Sequence, residues 1–71
     1  MPHPAVSLAS VGGAVRDARR GRGWSQTQLG EEAGVSRPTI ARIERGDDVS
    51  VATLAKVTAA VGLTVKIEAS T

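Results

Sequence analysis

The side chains of this chain that could do chemistry are its arginines, and all seven lie between positions 16 and 45. A guanidinium carries a fixed charge and donates two parallel hydrogen bonds, which suits a phosphate group or the edge of a guanine base. Both lysines lie outside this range, and the formal net charge of the 71 residues is +2. The arginine distribution indicates a nucleic-acid partner, with an ordinary solvated surface as the alternative.

Few other residues could support catalysis or hold a metal ion. The chain has no cysteine and no tyrosine, and its one histidine is His3. Glu31 and Glu32 are adjacent, so on a helix they point in different directions and are typical of a solvated face. Catalysis needs acid, base or nucleophilic groups held close together. We therefore predict no catalytic residues, no cofactor and no metal site.

The length and the apolar pattern limit the class of protein. Seventy-one residues allow one small domain, and a core of this size supplies only about 3–5 kcal/mol of net stability, so oligomerisation is expected. The N-terminus, MPHPAVSLAS, lacks the regions of a signal peptide, and no apolar stretch approaches the roughly 18 residues of a membrane helix. We expect a cytoplasmic protein without membrane contact.

The elements that must position the arginines are encoded in the stretch QTQLGEEAGVSRPTIARIER. It predicts two short helices, Gln26–Ala33 and Arg37–Arg45, with the turn at Gly34. Ser25 and Ser36 stand where an N-cap hydroxyl would accept backbone N–H groups. This pattern is typical of a helix-turn-helix, whose second helix enters the DNA major groove. The residues expected to be buried between the crossed helices are Leu29, Ala33, Val35, Ile40 and Ile43.

Two further helices are expected around this pair. Residues 1–9 contain two prolines and no helical period, which predicts a flexible N-terminal segment. Ser10 could cap a first helix over about residues 11–20, and Ser50 a fourth over about 51–61. Trp24, the only aromatic residue, is expected to plug the core beside the second helix. Residues facing inward from the outer helices are Val11, Ala14, Val15, Ala18, Leu54, Val57 and Val61.

The hydrophobic period changes after Gly62. Leu63, Val65, Ile67 and Ala69 alternate with polar residues, which predicts a half-buried strand. A lone strand needs a partner for its backbone groups, and none is predicted in residues 1–62. We therefore predict a homodimer in which this strand pairs with its copy, with an unpaired tail as the alternative. Residues 10–62 would form the DNA-binding domain and residues 63–71 the dimerisation strand and tail.

The stretch GWSQTQLGEEAGVSRPTIARIERG resembles the helix-turn-helix of the Xre/Cro/C1 family, with the likeness spanning roughly residues 11–62. The resemblance implies a mainly α, four-helix lambda-repressor-like domain that binds DNA sequence-specifically and regulates transcription. Members usually add a fifth helix, whereas this chain continues with LTVKIEAS. A four-helix core followed by a pairing strand is similar to the HipB branch. Those antitoxins of type II toxin–antitoxin modules repress their own operon and bind a HipA-type kinase toxin.

The resemblance assigns the base contacts to the start of the second helix of the motif. Arg37 is the best candidate for direct readout, with a phosphate contact as its alternative, because an arginine can donate two hydrogen bonds to a guanine. Pro38 offers apolar contact only. The full set of expected base-contacting residues is Ser36, Arg37, Pro38, Thr39 and Arg42.

The same resemblance assigns other residues to the DNA backbone and to the fold. Arg19 aligns with an arginine that pairs with the acid at Glu44, tying the first helix to the third. Helix N-termini favour anions, so the start of the first motif helix should hold a phosphate. The expected phosphate-contacting residues are Gln26, Thr27, Arg20, Arg22 and Arg45.

The partners expected from this interpretation are a second copy of the chain, a double-stranded inverted-repeat operator and a HipA-type kinase toxin. The protein would then lie on the nucleoid through its DNA contacts. Two alternatives stay open at this point. One is a stand-alone or phage-type repressor of the same family with no toxin partner. The other is a protein-interaction module that does not bind DNA.

Overall fold

Residues 8–64 are described in a computed structural model of the protein. They form four helices, α1 (Leu8–Gly21), α2 (Gln26–Ala33), α3 (Arg37–Arg45) and α4 (Val51–Ala60). The bounds of α2 and α3 coincide with the predicted ones, and α4 ends one residue before its predicted end. The mainly α, four-helix architecture is therefore confirmed.

Helix α1 begins earlier than the sequence suggests. It starts at Leu8, so Ser10 lies inside the helix instead of at its N-cap, and residues 8 and 9 belong to the folded domain. The first turn packs against the end of α3, where a Cβ added at Gly46 would lie 3.0 Å from the Cα of Ala9. This tertiary contact extends the helix beyond its local start signal. Residues 1–7 of the predicted flexible segment lie outside the described residues.

The core sits between α3 and the two helices it contacts, α1 and α2, while α2 also packs on α4. The predicted inward-facing residues are nearly all confirmed, but Ala14 is exposed. Trp24 is half-buried and packs against the core, as expected. The buried apolar residues are Val15, Leu29, Ile40, Ile43, Leu54, Val57 and Val61.

Gly12 faces α3 at a position on α1 where there is no room for a side chain. A Cβ at Gly12 would overlap the carbonyl oxygen of Ile43, and it would lie 3.1 Å from the carbonyl oxygen of Glu44. The α1 backbone therefore lies directly against the backbone of α3. At Gly13, by contrast, nothing lies within 4 Å of an added Cβ.

The end of α4 leads into the segment predicted to be a strand. Gly62 adopts a left-handed conformation with φ 74°, and the Leu63 N–H donates to the Thr58 carbonyl at 2.8 Å. These contacts close the helix C-terminus in the way typical of a glycine cap. Leu63 also packs half-buried against the core. The rest of the predicted strand, including Val65 and Ile67, lies outside residues 8–64.

Within residues 8–64, none of the helices has the length and hydrophobicity that crossing a bilayer would require.

Candidate nucleic-acid interface

The turn between α2 and α3 fixes the geometry of the motif. Gly34 has φ 72°, a left-handed conformation that suits glycine. The Val35 N–H then donates to the Gly30 carbonyl at 2.9 Å. A Cβ at Gly30 would lie 2.7 Å from the Val35 carbonyl oxygen, so only glycine fits there without a shift. This close approach of the Gly30 backbone to Val35 sets where α3 begins.

Helix α3 begins with a capped and exposed first turn. Ser36 Oγ accepts a hydrogen bond from the Thr39 N–H at 3.3 Å and lies 2.9 Å from Thr39 Oγ1. Pro38, which has no N–H to donate, lies within this turn, where helical backbone donors have no intrahelical partner. Arg37 and Pro38 are exposed. The structure thus brings Ser36, Arg37, Pro38 and Thr39 together at the start of one helix. Arg42, the remaining predicted base contact, lies in the last turn of the same helix.

Arg37 and Arg42 differ in what their side chains contact. The Arg37 guanidinium makes no hydrogen bond or ion pair within residues 8–64, so it can bind a ligand without breaking a contact there. Arg42 Nη2 instead donates to the Asp48 carbonyl oxygen at 3.1 Å. Arg42 and Asp48 line an open depression of about 320 Å³, which continues over Thr39, Val49, Ser50 and Thr53.

Arg45 also contacts the loop that follows α3. Its Nη2 lies 2.9 Å from the Asp47 carboxylate, and both side chains are about half exposed or more. An exposed pair of this kind contributes little to stability and is screened by salt. A phosphate could therefore replace Asp47 at small cost. The sequence did not reveal that Arg45 contacts Asp47 and that Arg42 contacts Asp48, because these contacts depend on the conformation of the loop after α3.

A buried ion pair joins α1 to α3, as the resemblance implied. Arg19 Nε lies 2.7 Å from Glu44 Oε2, and Arg19 Nη2 lies 3.0 Å from Glu44 Oε1. Arg19 Nη1 also donates to the Trp24 carbonyl at 2.8 Å. The hydrogen bonds that Arg19 donates to Glu44 raise the pKa of Arg19, and they outweigh the opposing effect of burial. Arg19 therefore stays charged, and its contacts with Glu44 fix the α1–α3 crossing.

The start of α2 is linked to this pair. Ser25 caps the helix by accepting from the Gln28 N–H at 3.0 Å. Gln26 Nε2 donates to Glu44 Oε1 at 3.3 Å, while Thr27 is exposed. The link from Gln26 to Glu44 was not predicted, since the two residues are 18 positions apart.

Arg20 and Arg22, the remaining predicted phosphate contacts, lie in different surroundings. Arg20 is exposed and has no side-chain partner in the described part of the chain. The Arg22 guanidinium lies 5.2 Å from the centroid of the Trp24 ring, a cation–π distance. A Cβ at Gly62 would lie 3.1 Å from Arg22 Nη2. Arg22 therefore also lies close to Gly62, two residues after the end of α4.

The sequence model of the helix-turn-helix family matches residues 15–66. The chain belongs to the helix-turn-helix family of the Xre/Cro/C1 type. Its members are DNA-binding transcriptional regulators, and its matched residues include the whole α2–turn–α3 unit. The family assignment is thus consistent with the capped helix-turn-helix motif and the exposed Arg37 in the structure.

Individual relatives support the same assignment. The chain is 51% identical over 35 residues to the uncharacterized HTH-type transcriptional regulator YgzD of Bacillus subtilis (strain 168), a match that covers 49% of this chain. The chain thus spans only about half the length of that relative, 53%. The clp gene regulator ClgR of Corynebacterium glutamicum is 34% identical with a TM-score of 0.73, covering 90% of this chain and 82% of that one.

A third relative has the same fold at lower identity. A chain of the HipA-HipB-O2-O3 complex has a TM-score of 0.77 and covers 99% of this chain and 100% of its own. Its sequence identity of 21% shows a shared fold and no more.

Proposed function

We propose that this protein is a sequence-specific, homodimeric repressor that binds an inverted-repeat operator upstream of its own operon. The observation that carries the proposal is the first turn of α3, where Arg37 is exposed and unpaired within residues 8–64. The N-terminal residues of such a helix reach the base edges in the major groove. Within this proposal, Arg37 reads a guanine, and Ser36, Pro38, Thr39 and Arg42 complete the base-facing surface.

The proposed backbone contacts surround this helix. Arg20 is exposed and can bind a phosphate directly, whereas Arg45 would exchange its contact with Asp47 for a phosphate. The N–H groups at the start of α2, with Gln26 and Thr27, would hold a second phosphate. Arg22 keeps its place in this set, although its contact with Trp24 makes it the least available of the arginines assigned to phosphate.

The proposed dimer is supported by an apolar groove on α4. The groove measures about 380 Å³, and Val51 at its rim is 62% exposed. The Thr58 hydroxyl donates to the Leu54 carbonyl at 3.0 Å, so the groove floor carries no unsatisfied donor from Thr58. Leu63 and Thr64 also line the groove, directly before the alternating residues 65–69. We propose that the paired C-terminal strands of two copies cover this face.

The partner beyond DNA is proposed to be a HipA-type kinase toxin. This assignment, over a stand-alone or phage-type repressor, is supported by the alternating residues after Gly62, which resemble the pairing strand of the HipB branch. A kinase-like gene immediately downstream, whose product co-purifies with this protein, is the expected observation. If such a kinase-like protein were expressed with this protein and did not co-purify with it, the result would favour the stand-alone repressor.

The DNA-binding proposal is tested by fluorescence anisotropy with the DNA immediately upstream of the gene and with a scrambled duplex. Wild type should bind the upstream duplex tightly and the scrambled duplex weakly at near-physiological salt. Arg37→Ala should reduce the difference between the two duplexes, because it removes one of the proposed base contacts. Arg16→Ala is the matched control, since Arg16 is exposed, unpaired within residues 8–64 and outside the proposed surface. Equal weak binding of wild type to both duplexes would favour the protein-interaction module.

A further inference from the structure

Glu44, near the end of α3, holds a side chain at the start of α2. Its Oε1 accepts hydrogen bonds from Gln26 Nε2 at 3.3 Å and from Arg19 Nη2 at 3.0 Å. Its Oε2 accepts from Arg19 Nε at 2.7 Å, and the Glu44 side chain is only 5% exposed. Gln26 itself is half-buried. One buried carboxylate therefore connects the α1–α3 ion pair to the residue that opens α2.

The chemistry of this contact fixes the orientation of the Gln26 amide. An ionised carboxylate only accepts hydrogen bonds, so the amide nitrogen of Gln26 must face it and the amide oxygen must face away. The amide nitrogen has two N–H groups, of which Glu44 takes one. The second N–H has no partner in the described part of the chain and remains available to an acceptor. An amide without this restraint could rotate and present its oxygen, which a phosphate repels.

We propose that Glu44 is a positioning residue for DNA binding, which orients the Gln26 amide so that its second N–H donates to a backbone phosphate. This inference rests on the proposed function and assigns Glu44 a role beyond the structural ion pair. Arg19 completes the arrangement, because its charge compensates the carboxylate and keeps it from repelling the nearby DNA. Glu44 and Arg19 thus act through Gln26 and need not touch the phosphate themselves.

The first test measures coupling between Glu44 and Gln26. Affinities of wild type, Gln26→Ala, Glu44→Gln and the double variant are measured by anisotropy on an operator selected from a random duplex pool. A hydrogen bond to a charged group predicts that Gln26→Ala weakens binding by about tenfold. Glu44→Gln should weaken it similarly, and the double variant should bind no more weakly than the weaker single variant, since both changes remove one contact.

The second test locates the effect on one phosphate. A scan of single methylphosphonate substitutions in the operator should find one position where neutralisation weakens wild-type binding and has no effect with Gln26→Ala. Sensitivity at that position should also be lost with Glu44→Gln, while other phosphates stay sensitive. A purely structural role of Glu44 would lower affinity without changing the response to one phosphate. Val57→Ala, a core change in α4, is the control for lost stability and should leave the scan unchanged.

A further variant keeps the test informative if Glu44→Gln does not fold. The double change Arg19→Met and Glu44→Leu replaces the buried pair by apolar side chains of similar size, an exchange that proteins often tolerate. It should fold and still lose the same phosphate sensitivity.

The outcomes separate this inference from the proposed function. Additive losses in the double variant, or an unchanged phosphate scan with Glu44→Gln, would overturn the inference while leaving DNA binding intact. A wild type that selects no duplex from the pool would instead overturn the proposed function and this inference with it.

Discussion

Arg37 and Arg20 are both exposed and unpaired within residues 8–64, yet they should contribute to DNA binding in different ways. Arg37 lies in the first turn of α3, whereas Arg20 lies at the end of α1. Arg37→Ala should cost about 1–3 kcal/mol and relax preference at one base pair. Arg20→Ala should weaken all sequences alike and reduce the slope of log K against log salt by about 0.9.

Anisotropy on operators with single base-pair substitutions, repeated at several salt concentrations, separates these two effects. Arg16→Ala serves as the control for removing an exposed arginine outside the proposed surface. If Arg37→Ala and Arg20→Ala lowered affinity by the same factor on operator and random DNA, the division between base and phosphate contacts would be wrong.

Two adjacent glycines in α1 give opposite predictions at the scale of helix packing. Gly13→Ala should stabilise the fold by about 0.5–1 kcal/mol, because its Cβ meets nothing within 4 Å and alanine favours a helix. Gly12→Ala should destabilise it by about 1–3 kcal/mol, because α1 and α3 must separate to admit the Cβ. Urea unfolding followed by circular dichroism measures both. A gain in stability from Gly12→Ala would contradict the close backbone contact.

The Arg19–Glu44 pair gives the second prediction about how helices are held together. Arg19→Met should cost about 3–5 kcal/mol, because it leaves a buried carboxylate without its counter-charge. Arg45→Met is the matched control, since it breaks an ion pair that is largely exposed and should cost less than about 1 kcal/mol. The comparison uses urea midpoints of the two variants, and similar midpoints would show that the Arg19–Glu44 pair does little for the fold.

Local sequence signals made the helix-turn-helix predictable. The features that the sequence did not predict depend on tertiary contacts. The serine caps and the glycine turn act within a few residues, so the sequence located α2 and α3 to the residue. The earlier start of α1 depends on packing against Gly46, and the backbone approach at Gly12 depends on α3. The Gln26–Glu44 hydrogen bond likewise joins distant positions. Such contacts carry no periodic or capping signal that a reader of one sequence could use.

At the scale of the whole molecule, the proposed dimer rests on the groove on α4 and on the sequence pattern after Thr64. A two-fold dimer would place the two α3 helices in successive major-groove faces about 34 Å apart, which requires an inverted-repeat operator. A monomer would contact one half-site and lose the affinity that the second contact supplies. The state of assembly is therefore part of the proposed DNA recognition.

Two changes to this surface should convert the proposed dimer into a monomer that still folds. Truncation after Thr64 removes the alternating residues, and Ala55→Glu places a charge in the apolar groove. Ala52→Glu is the matched control, since Ala52 is exposed on the same helix and does not line the groove. Sedimentation velocity should show a dimer for wild type and Ala52→Glu and a monomer for the other two. If the truncated protein stayed dimeric, the interface would lie outside residues 65–71. The Ala55→Glu variant would then show whether the α4 groove alone forms that interface.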